Sequence, residues 1–235
     1  MIRWTGATPV ARLAYAGSDQ PTKRDGELAA RQERSRWILS LPGNILIALF
    51  YALFLYSATT FWIQTGSILS AGLIFFNTLL VVSLLTRRPP TAVTRSLRNW
   101  ILAPLTQVVP LLLRPGASAS WSLVVAGSAG QVMGLAIMIA SLMALNRSIG
   151  IVAANRGIKT RGVYAWVRHP LYAGEILFFA SFLISNWSST NAVLVSLLIL
   201  AQVIRSYQEE ALLVGDERYA PYRIAVAYRL IPGLF

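Results

Sequence analysis

Long apolar runs alternate with short basic segments along this chain. No Asp, Glu, Lys or Arg occurs between Ile38 and Thr86. A helix needs about 20 apolar residues to cross a bilayer, so this run is long enough for two spans. We place them at Leu41–Trp62 and Ser67–Leu85, joined by a turn around Gln64–Gly66.

Three more apolar segments follow. Trp100–Leu113 is short and contains two prolines, which indicates a kinked span or a re-entrant element. Trp121–Leu145 predicts a span, and its small residues favour close helix packing; they are Gly127, Ser128, Ala129, Gly130 and Gly134. Leu171–Ile204 is interrupted by polar residues at 185–191 and predicts a helical hairpin. The pattern therefore predicts an all-α, multi-pass transmembrane protein with five to six spans.

Composition and charge support this class and suggest an orientation. Only 13% of the residues are charged, against about 25% in soluble domains. If the apolar segments cross the membrane one after another, all but Arg114 of the 21 basic residues lie on the same side. Basic residues are retained in the cytoplasm. We therefore predict that both termini are cytoplasmic, in a bacterial inner membrane or the endoplasmic reticulum. The net charge of +12 is then explained by the orientation of the protein in the membrane and by its attraction to anionic lipid headgroups. We expect no nucleic-acid partner.

The single histidine, His169, lies where a basic loop enters an apolar helix. Pro170 suits the first helical turn, and the free N–H groups of that turn form a site for an anion. Arg168 and His169 could add charge or a hydrogen bond there. The alternative is that both residues only anchor the helix end among headgroups. With one histidine and no cysteine, we expect no metal site.

Further polar residues follow on this helix and on the last apolar helix. Tyr172 and Glu175 share a helical face, and Gly174 would let a ligand approach the backbone. Arg205 and Glu209, spaced i,i+4, can pair or point jointly into a pocket. Carboxylates this close to a bilayer need counter-charges, which a cationic ligand would supply; the alternative is a solvated helix end.

The order of these motifs resembles a known family. Gly-x-Tyr-x-x-Val-Arg-His-Pro-x-Tyr-x-Gly is followed by a hairpin, by Arg-x-x-x-Glu-Glu-x-x-Leu, and by Tyr-x-x-Tyr and Arg-Leu-Ile-Pro-Gly. Over about residues 146–235 the chain is similar to the isoprenylcysteine carboxyl methyltransferases, which in turn resemble the phospholipid N-methyltransferases. The apolar and charge pattern predicts a cytoplasmic tail at 1–37 and four transmembrane helices at 38–145. The resemblance implies a catalytic region at 146–235 with a cofactor loop, the hairpin and a carboxyl-terminal tail.

The resemblance also implies a cofactor and a set of site residues. S-adenosylmethionine would be held by the cytoplasmic loop and carboxyl-terminal helices, and a lipophilic acceptor would reach it from the bilayer. Arg205 matches the family position near the acceptor, and Glu175 completes the predicted catalytic pair. The residues implied for the cofactor are Arg156, Gly157, Ile158, Lys159, Tyr164, His169, Pro170, Leu171, Tyr172 and Glu209, the last holding the cofactor's polar end.

Two departures from the family pattern leave the acceptor open. Arg156 and Lys159 stand in a stretch expected to be uncharged or to contain histidine, and Glu175 replaces an aromatic residue. The favoured acceptor is the carboxylate of an isoprenylcysteine-like substrate; the alternatives are a phospholipid or another lipophilic amine or thiol. With an amine, Glu175 would be the candidate base. An NADPH-dependent membrane reductase and a non-catalytic transporter or scaffold are the competing functions.

Overall fold

The computed structural model describes residues 23–94, 96–114, 116 and 120–235, with the side chains of residues 23–41 and 44 excepted. The predicted tail before residue 23 lies outside the described residues. The chain divides into two compact units, residues 1–40 and 41–235. The contacts and cavities described below all lie within the second unit. The elements, in chain order, are α1 (Lys23–Thr65), α2 (Ile68–Leu85), β1 (Ala92–Val93), α3 (Leu97–Leu112), α4 (Trp121–Leu145), β2 (Ala154–Asn155), α5 (Pro170–Ser185), α6 (Ser189–Leu213) and α7 (Tyr219–Ala225).

The helices confirm the predicted all-α, multi-pass class. Four segments are long and apolar enough to cross a membrane: Ile45–Thr65, Ile68–Leu85, Trp121–Ser148 and Ser189–Leu213. The shorter apolar helix α5 forms the first arm of the predicted hairpin. At 1.5 Å per residue, α3 and α5 are each about 24 Å long, somewhat less than the roughly 30 Å hydrocarbon core.

Glycines allow α4 and α5 to pack closely, as predicted for α4. A Cβ atom on Gly134 would lie 2.7 Å from the backbone nitrogen of Phe178, and one on Gly174 would lie 2.9 Å from the carbonyl oxygen of Gly134. Gly174 therefore admits a neighbouring helix, and the expectation that it admits a ligand was wrong. Ser128 and Ala129 are exposed and take no part in this contact.

At one end of the bundle, two basic loops are joined. Strands β1 and β2 pair antiparallel, with Ala92 opposite Asn155. Outside the strands, the backbone nitrogen of Arg88 donates to the carbonyl oxygen of Arg147 at 2.8 Å. The segments predicted to share a membrane face, residues 87–98 and 147–168, therefore contact each other directly.

A buried asparagine organises the polar turn of the hairpin. Asn191 accepts a 3.2 Å bond from the Arg114 backbone nitrogen. It also donates at 2.8 Å to the Arg114 carbonyl oxygen and at 2.7 Å to that of Asn186. Ser188 caps α6 by accepting from the Asn191 backbone nitrogen at 3.1 Å. The polar interruption is thus the turn between α5 and α6, and it lies beside Arg114.

Candidate functional site

A cleft lies where the 148–159 loop meets the start of α5 and the end of α6. It consists of two adjoining cavities that share much of their lining. One is completed by the start of α5, and the other by the loop around Gly157 and the tyrosines of α7. The shared residues are Leu145, Ser148, Ala154, Tyr164, Arg168, His169 and Glu209.

Most residues that the resemblance implied for the cofactor lie in this cleft. Those that line it are Arg156, Gly157, Ile158, Lys159, Tyr164, His169, Leu171, Tyr172 and Glu209. Pro170 instead lines a separate apolar groove beside Trp166 and Leu230. Pro170 is the first residue of α5, so it shapes the cleft through the helix start and does not line it.

Glu209 supplies a carboxylate that is open to the cleft. Its side chain is 32% exposed, and its Oε2 atom accepts a 2.8 Å hydrogen bond from the Tyr172 hydroxyl. The Nδ1 atom of His169 lies 3.7 Å from the same oxygen. The rings of His169 and Tyr172 are stacked, with centroids 5.5 Å apart. The cleft therefore presents an oriented carboxylate beside two aromatic faces.

Arg156 supplies a cation with an unused donor. Its Nε atom donates to the Arg88 carbonyl oxygen at 3.0 Å. Its Nη1 atom is buried and has no hydrogen-bond partner in the part of the chain that the structure describes. Burial, reinforced by the nearby charge of Arg87, lowers the pKa of Arg156 to about 10, which leaves the guanidinium charged at neutral pH. A buried cationic donor of this kind suits an anionic ligand group.

The neighbouring carboxylate, Glu210, has a structural role that the sequence did not show. It is 5% exposed and accepts hydrogen bonds from Arg168 at 2.8 Å and from Arg229 at 2.9 and 3.0 Å. The Nε2 atom of His169 lies 3.2 Å away. Hydrogen bonding to Glu210 raises the pKa of Arg229. These contacts hold the carboxyl-terminal segment against the start of α5.

Arg168 takes part in this arrangement through several hydrogen bonds. Besides Glu210, its guanidinium donates to the carbonyl oxygens of Val226 at 2.8 Å and Ala227 at 2.6 Å. Arg168 also lines both cavities of the cleft, and a role for its charge toward a bound anion stays a prediction. Its backbone nitrogen also donates to the Tyr228 carbonyl oxygen at 3.0 Å, so this residue fixes the carboxyl-terminal segment.

Tyrosines close one wall of the cleft. Tyr164 is buried, and its carbonyl oxygen accepts a 2.8 Å bond from the Tyr222 hydroxyl. Burial raises the pKa of Tyr164 well above its usual range, so its phenol stays neutral. Tyr219 lies beside Tyr222, with ring centroids 6.2 Å apart. This wall offers neutral aromatic surface, and Tyr219 and Tyr222 were missed as lining residues because only the fold brings α7 here.

Arg205 joins three elements beside the cleft. Its guanidinium donates to Thr106 at 2.8 Å, to Gln202 at 3.1 Å and to the Ile151 carbonyl oxygen at 2.7 Å. Among the described residues, Arg205 makes no ion pair with Glu209. Both residues instead contact Tyr172: the Arg205 Cζ atom lies 5.0 Å from the ring centroid, and Glu209 binds the hydroxyl.

A second cavity lies inside the helix bundle, one helical turn along α5 from Tyr172. Its volume is about 370 Å³, and residues of α1 to α5 line it, mostly apolar and aromatic. Glu175 lines this cavity and accepts a hydrogen bond from Gln202. The other polar residues in the lining are Tyr51, Ser57, Asn77, Thr106 and Gln107.

Glu175 was predicted from the sequence as a site residue, and these other polar residues were not. Tyr51 donates to Gln107 from a helix 56 positions away in the chain. These polar residues lie within apolar segments. No local pattern distinguishes them from residues that hydrogen-bond within their own helix, as Asn77 also does.

Comparison with known families identifies the region that carries the cleft. Residues 122–215 match the sequence model of the isoprenylcysteine carboxyl methyltransferase family. This region is an isoprenylcysteine carboxyl methyltransferase domain. The match confirms the resemblance and extends it to α4, while the Tyr-x-x-Tyr and Arg-Leu-Ile-Pro-Gly motifs lie beyond its end. No curated protein matches the chain. The family match and the fold together support a membrane methyltransferase.

Proposed function

We propose that this methyltransferase uses S-adenosylmethionine to methylate a lipophilic acceptor that enters from the bilayer. The observation that carries the proposal is the pairing of an open carboxylate, Glu209, with the unused donor of Arg156 in one cleft. A ligand that satisfies both must carry a cation and an anion, as the amino-acid part of S-adenosylmethionine does.

The cleft residues fit the remaining groups of this cofactor. Glu209 would hold the ammonium, and Arg156 would hold the carboxylate. The faces of Tyr164 and Tyr172 would favour the sulfonium, a cation–π interaction of about 0.5–2 kcal/mol. When bound, the cofactor supplies an electrophilic methyl group. In this proposal Glu209 binds the ammonium group, and Glu210 holds the carboxyl-terminal segment against the start of α5.

The acceptor would occupy the bundle cavity that Glu175 lines. Its volume of about 370 Å³ falls within the roughly 300–1,000 Å³ of ligand pockets. Leu111 lines the cavity and is 47% exposed, and the acceptor would enter beside it on α3. Family membership alone favours the carboxylate of an isoprenylcysteine-like acceptor, and a lipophilic amine or thiol is the alternative.

Arg205 would link the two compartments. It contacts Tyr172 of the cleft and donates to Thr106, which lines the cavity. Alignment of two bound reactants can contribute roughly 7–11 kcal/mol to catalysis. We propose that Arg205 fixes the wall between cofactor and acceptor, and that this positioning is its contribution to turnover.

The proposed orientation places the cleft at the cytoplasmic face. The basic loops at 87–98 and 147–168 contact each other, and the latter lines the cleft. Basic loops stay on the cytoplasmic side, so both termini would be cytoplasmic in a bacterial inner membrane or endoplasmic reticulum. The cleft would then open toward the compartment that contains the cofactor.

Isothermal titration calorimetry on the detergent-solubilised protein tests the proposal. We expect S-adenosylmethionine to bind and NADPH not to bind. Binding of NADPH alone would favour the reductase, and binding of neither would favour the transporter or scaffold. A radiolabelled methyl-transfer assay with total membrane lipid then establishes whether the bound cofactor is used.

A further inference from the structure

We propose that the methyl acceptor is a lipophilic amine, and that Glu175 binds its nitrogen and takes its proton. This inference rests on the proposed function and names its substrate class. It starts from the chemistry of the bundle cavity, where one carboxyl group lies among apolar and neutral polar residues.

Glu175 is the only carboxyl group in the cavity lining, and the lining contains no Lys, Arg or His. Its Oε2 atom accepts from Gln202. No hydrogen-bond partner of its Oε1 atom occurs in the described part of the chain. A carboxyl group inside an apolar bundle is costly unless a partner compensates it. The missing partner would be a hydrogen-bond donor or a cation on the ligand.

A carboxylate acceptor would lack a cationic partner in this cavity. The nearest candidate is Arg205, which is 6% exposed and does not line the cavity. Its bonds go to Thr106, Gln202 and the Ile151 carbonyl oxygen. An acceptor carboxylate would therefore add a second carboxyl group to a low-dielectric space beside Glu175, with no cation among the lining residues.

The aromatic lining also favours a cationic head. Phe54, Phe76, Phe178 and Phe179 line the cavity together with Tyr51. Aromatic faces attract ammonium groups most strongly where water is excluded. The same rings accommodate a hydrocarbon tail, so the cavity suits an amphiphile with an amine at its polar end.

Glu175 gives this acceptor a route to its reactive form. An alkylammonium has no lone pair at nitrogen, so its proton passes to the Glu175 carboxylate first. The freed lone pair forms the new nitrogen–carbon bond to the methyl group of the sulfonium donor. The sulfur–carbon bond breaks, and its electron pair stays on sulfur to give a neutral thioether. The products are a methylated ammonium and a protonated Glu175, which loses its proton when the product leaves.

The experiment compares ligands that share one hydrocarbon tail and differ in their head group. Each ligand is tested on the protein with and without the Glu175 carboxyl group. Dodecylamine, dodecanoate and dodecanol are added at equal concentration to the purified protein, and the rise in its unfolding midpoint reports binding. Radiolabelled methyl transfer is measured with dodecylamine, dodecanethiol and a prenylcysteine analogue. The variants are Glu175→Gln, which keeps an oxygen for Gln202, and Glu217→Gln, the same change at an exposed residue.

We expect the wild type to bind and methylate dodecylamine in preference to the other compounds. Glu175→Gln should weaken dodecylamine binding on the order of a hundredfold, because loss of a buried charge partner has an effect of this size. It should leave dodecanol binding and S-adenosylmethionine binding unchanged, and Glu217→Gln should behave as wild type.

Preferred methylation of the prenylcysteine analogue or of the thiol would overturn the amine assignment. So would an amine preference that survives Glu175→Gln. Failure of S-adenosylmethionine to bind the wild type would instead overturn the proposed function itself, so the two failures are distinguishable. Cofactor binding by Glu175→Gln shows that the variant has folded.

Discussion

Two consecutive glutamates on α6 have different environments. Glu210 is 5% exposed and bound by Arg168 and Arg229, whereas the Glu209 side chain is 32% exposed and bound by Tyr172. Successive residues on a helix point about 100° apart, so one faces the carboxyl-terminal segment and the other the cleft. Substituting each glutamate in turn therefore separates an effect on ligand binding, expected at Glu209, from an effect on stability, expected at Glu210.

Glu209→Gln should lower the affinity for S-adenosylmethionine about tenfold. The change removes one charge-assisted interaction with the ligand ammonium, worth about 1.5–3 kcal/mol. Calorimetric titration gives the affinity, and thermal unfolding should be unchanged because the amide still accepts from Tyr172. An unchanged affinity would show that the ammonium binds elsewhere.

Glu210→Gln should instead destabilise the protein. The partly buried guanidinium groups of Arg168 and Arg229 would lose their anion, and the cost should not exceed the roughly 3–5 kcal/mol of breaking a fully buried pair. The measurement is the unfolding midpoint in detergent, with Glu209→Gln as the neighbouring control. Equal unfolding midpoints for the two variants would show that Glu210 does not stabilise the fold.

Arg205→Lys should reduce turnover more than cofactor affinity. A lysine ammonium cannot reproduce the planar fork that bridges Thr106, Gln202 and the Ile151 carbonyl oxygen. We expect kcat to fall at least tenfold while calorimetry gives a near-normal affinity for S-adenosylmethionine. Full turnover in this variant would show that the bridging arrangement is dispensable.

At the scale of elements, the α4–α5 contact sets the position of the site. Tyr172 and Glu175 both lie on α5, and Gly134 lets that helix approach α4. Tyr172 lines the cleft and Glu175 the bundle cavity, so a shift of α5 moves both compartments together. A substitution far from either ligand should therefore affect cofactor and acceptor binding at once.

Gly134→Ala tests this coupling. Its Cβ atom would lie 2.7 Å from a backbone nitrogen of α5, so the helices must separate, at a cost of about 1–3 kcal/mol. We expect a lower unfolding midpoint and weaker binding of both S-adenosylmethionine and the acceptor. The matched control is Gly43→Ala, where a Cβ atom meets nothing within 4 Å. Loss of only one binding activity would contradict the coupling.

At the scale of the whole molecule, membrane orientation can be tested directly because the chain has no cysteine. Arg161 lies in the basic loop at the cleft end, and Thr190 lies at the hairpin turn. In intact cells, an impermeant thiol reagent should label Thr190→Cys from outside and Arg161→Cys only after permeabilisation. The reverse labelling pattern would invert the proposed topology.

Features with a local cause could be predicted from the sequence. The spans follow from apolar length, and the hairpin turn follows from polar residues between two apolar arms. Tyr164, His169, Tyr172 and Glu209 were assigned through an ordered motif and lie together in the cleft. Arg156 also lines the cleft, although it departs from the family pattern. Arg205 contacts Tyr172 of that cleft, and its place near the acceptor stays a prediction.

The tertiary structure decided which polar residue does what. Glu209 and Glu210 are adjacent in sequence, and only the approach of Arg168 and Arg229 makes one of them structural. The space beside Gly174 is filled by α4, so no ligand reaches it. Periodicity along one helix cannot show which neighbour will occupy the space next to a residue. The sequence therefore determined the membrane class and the ordered motif, while long-range packing determined the cleft, the cavity and the exposure of each charged group.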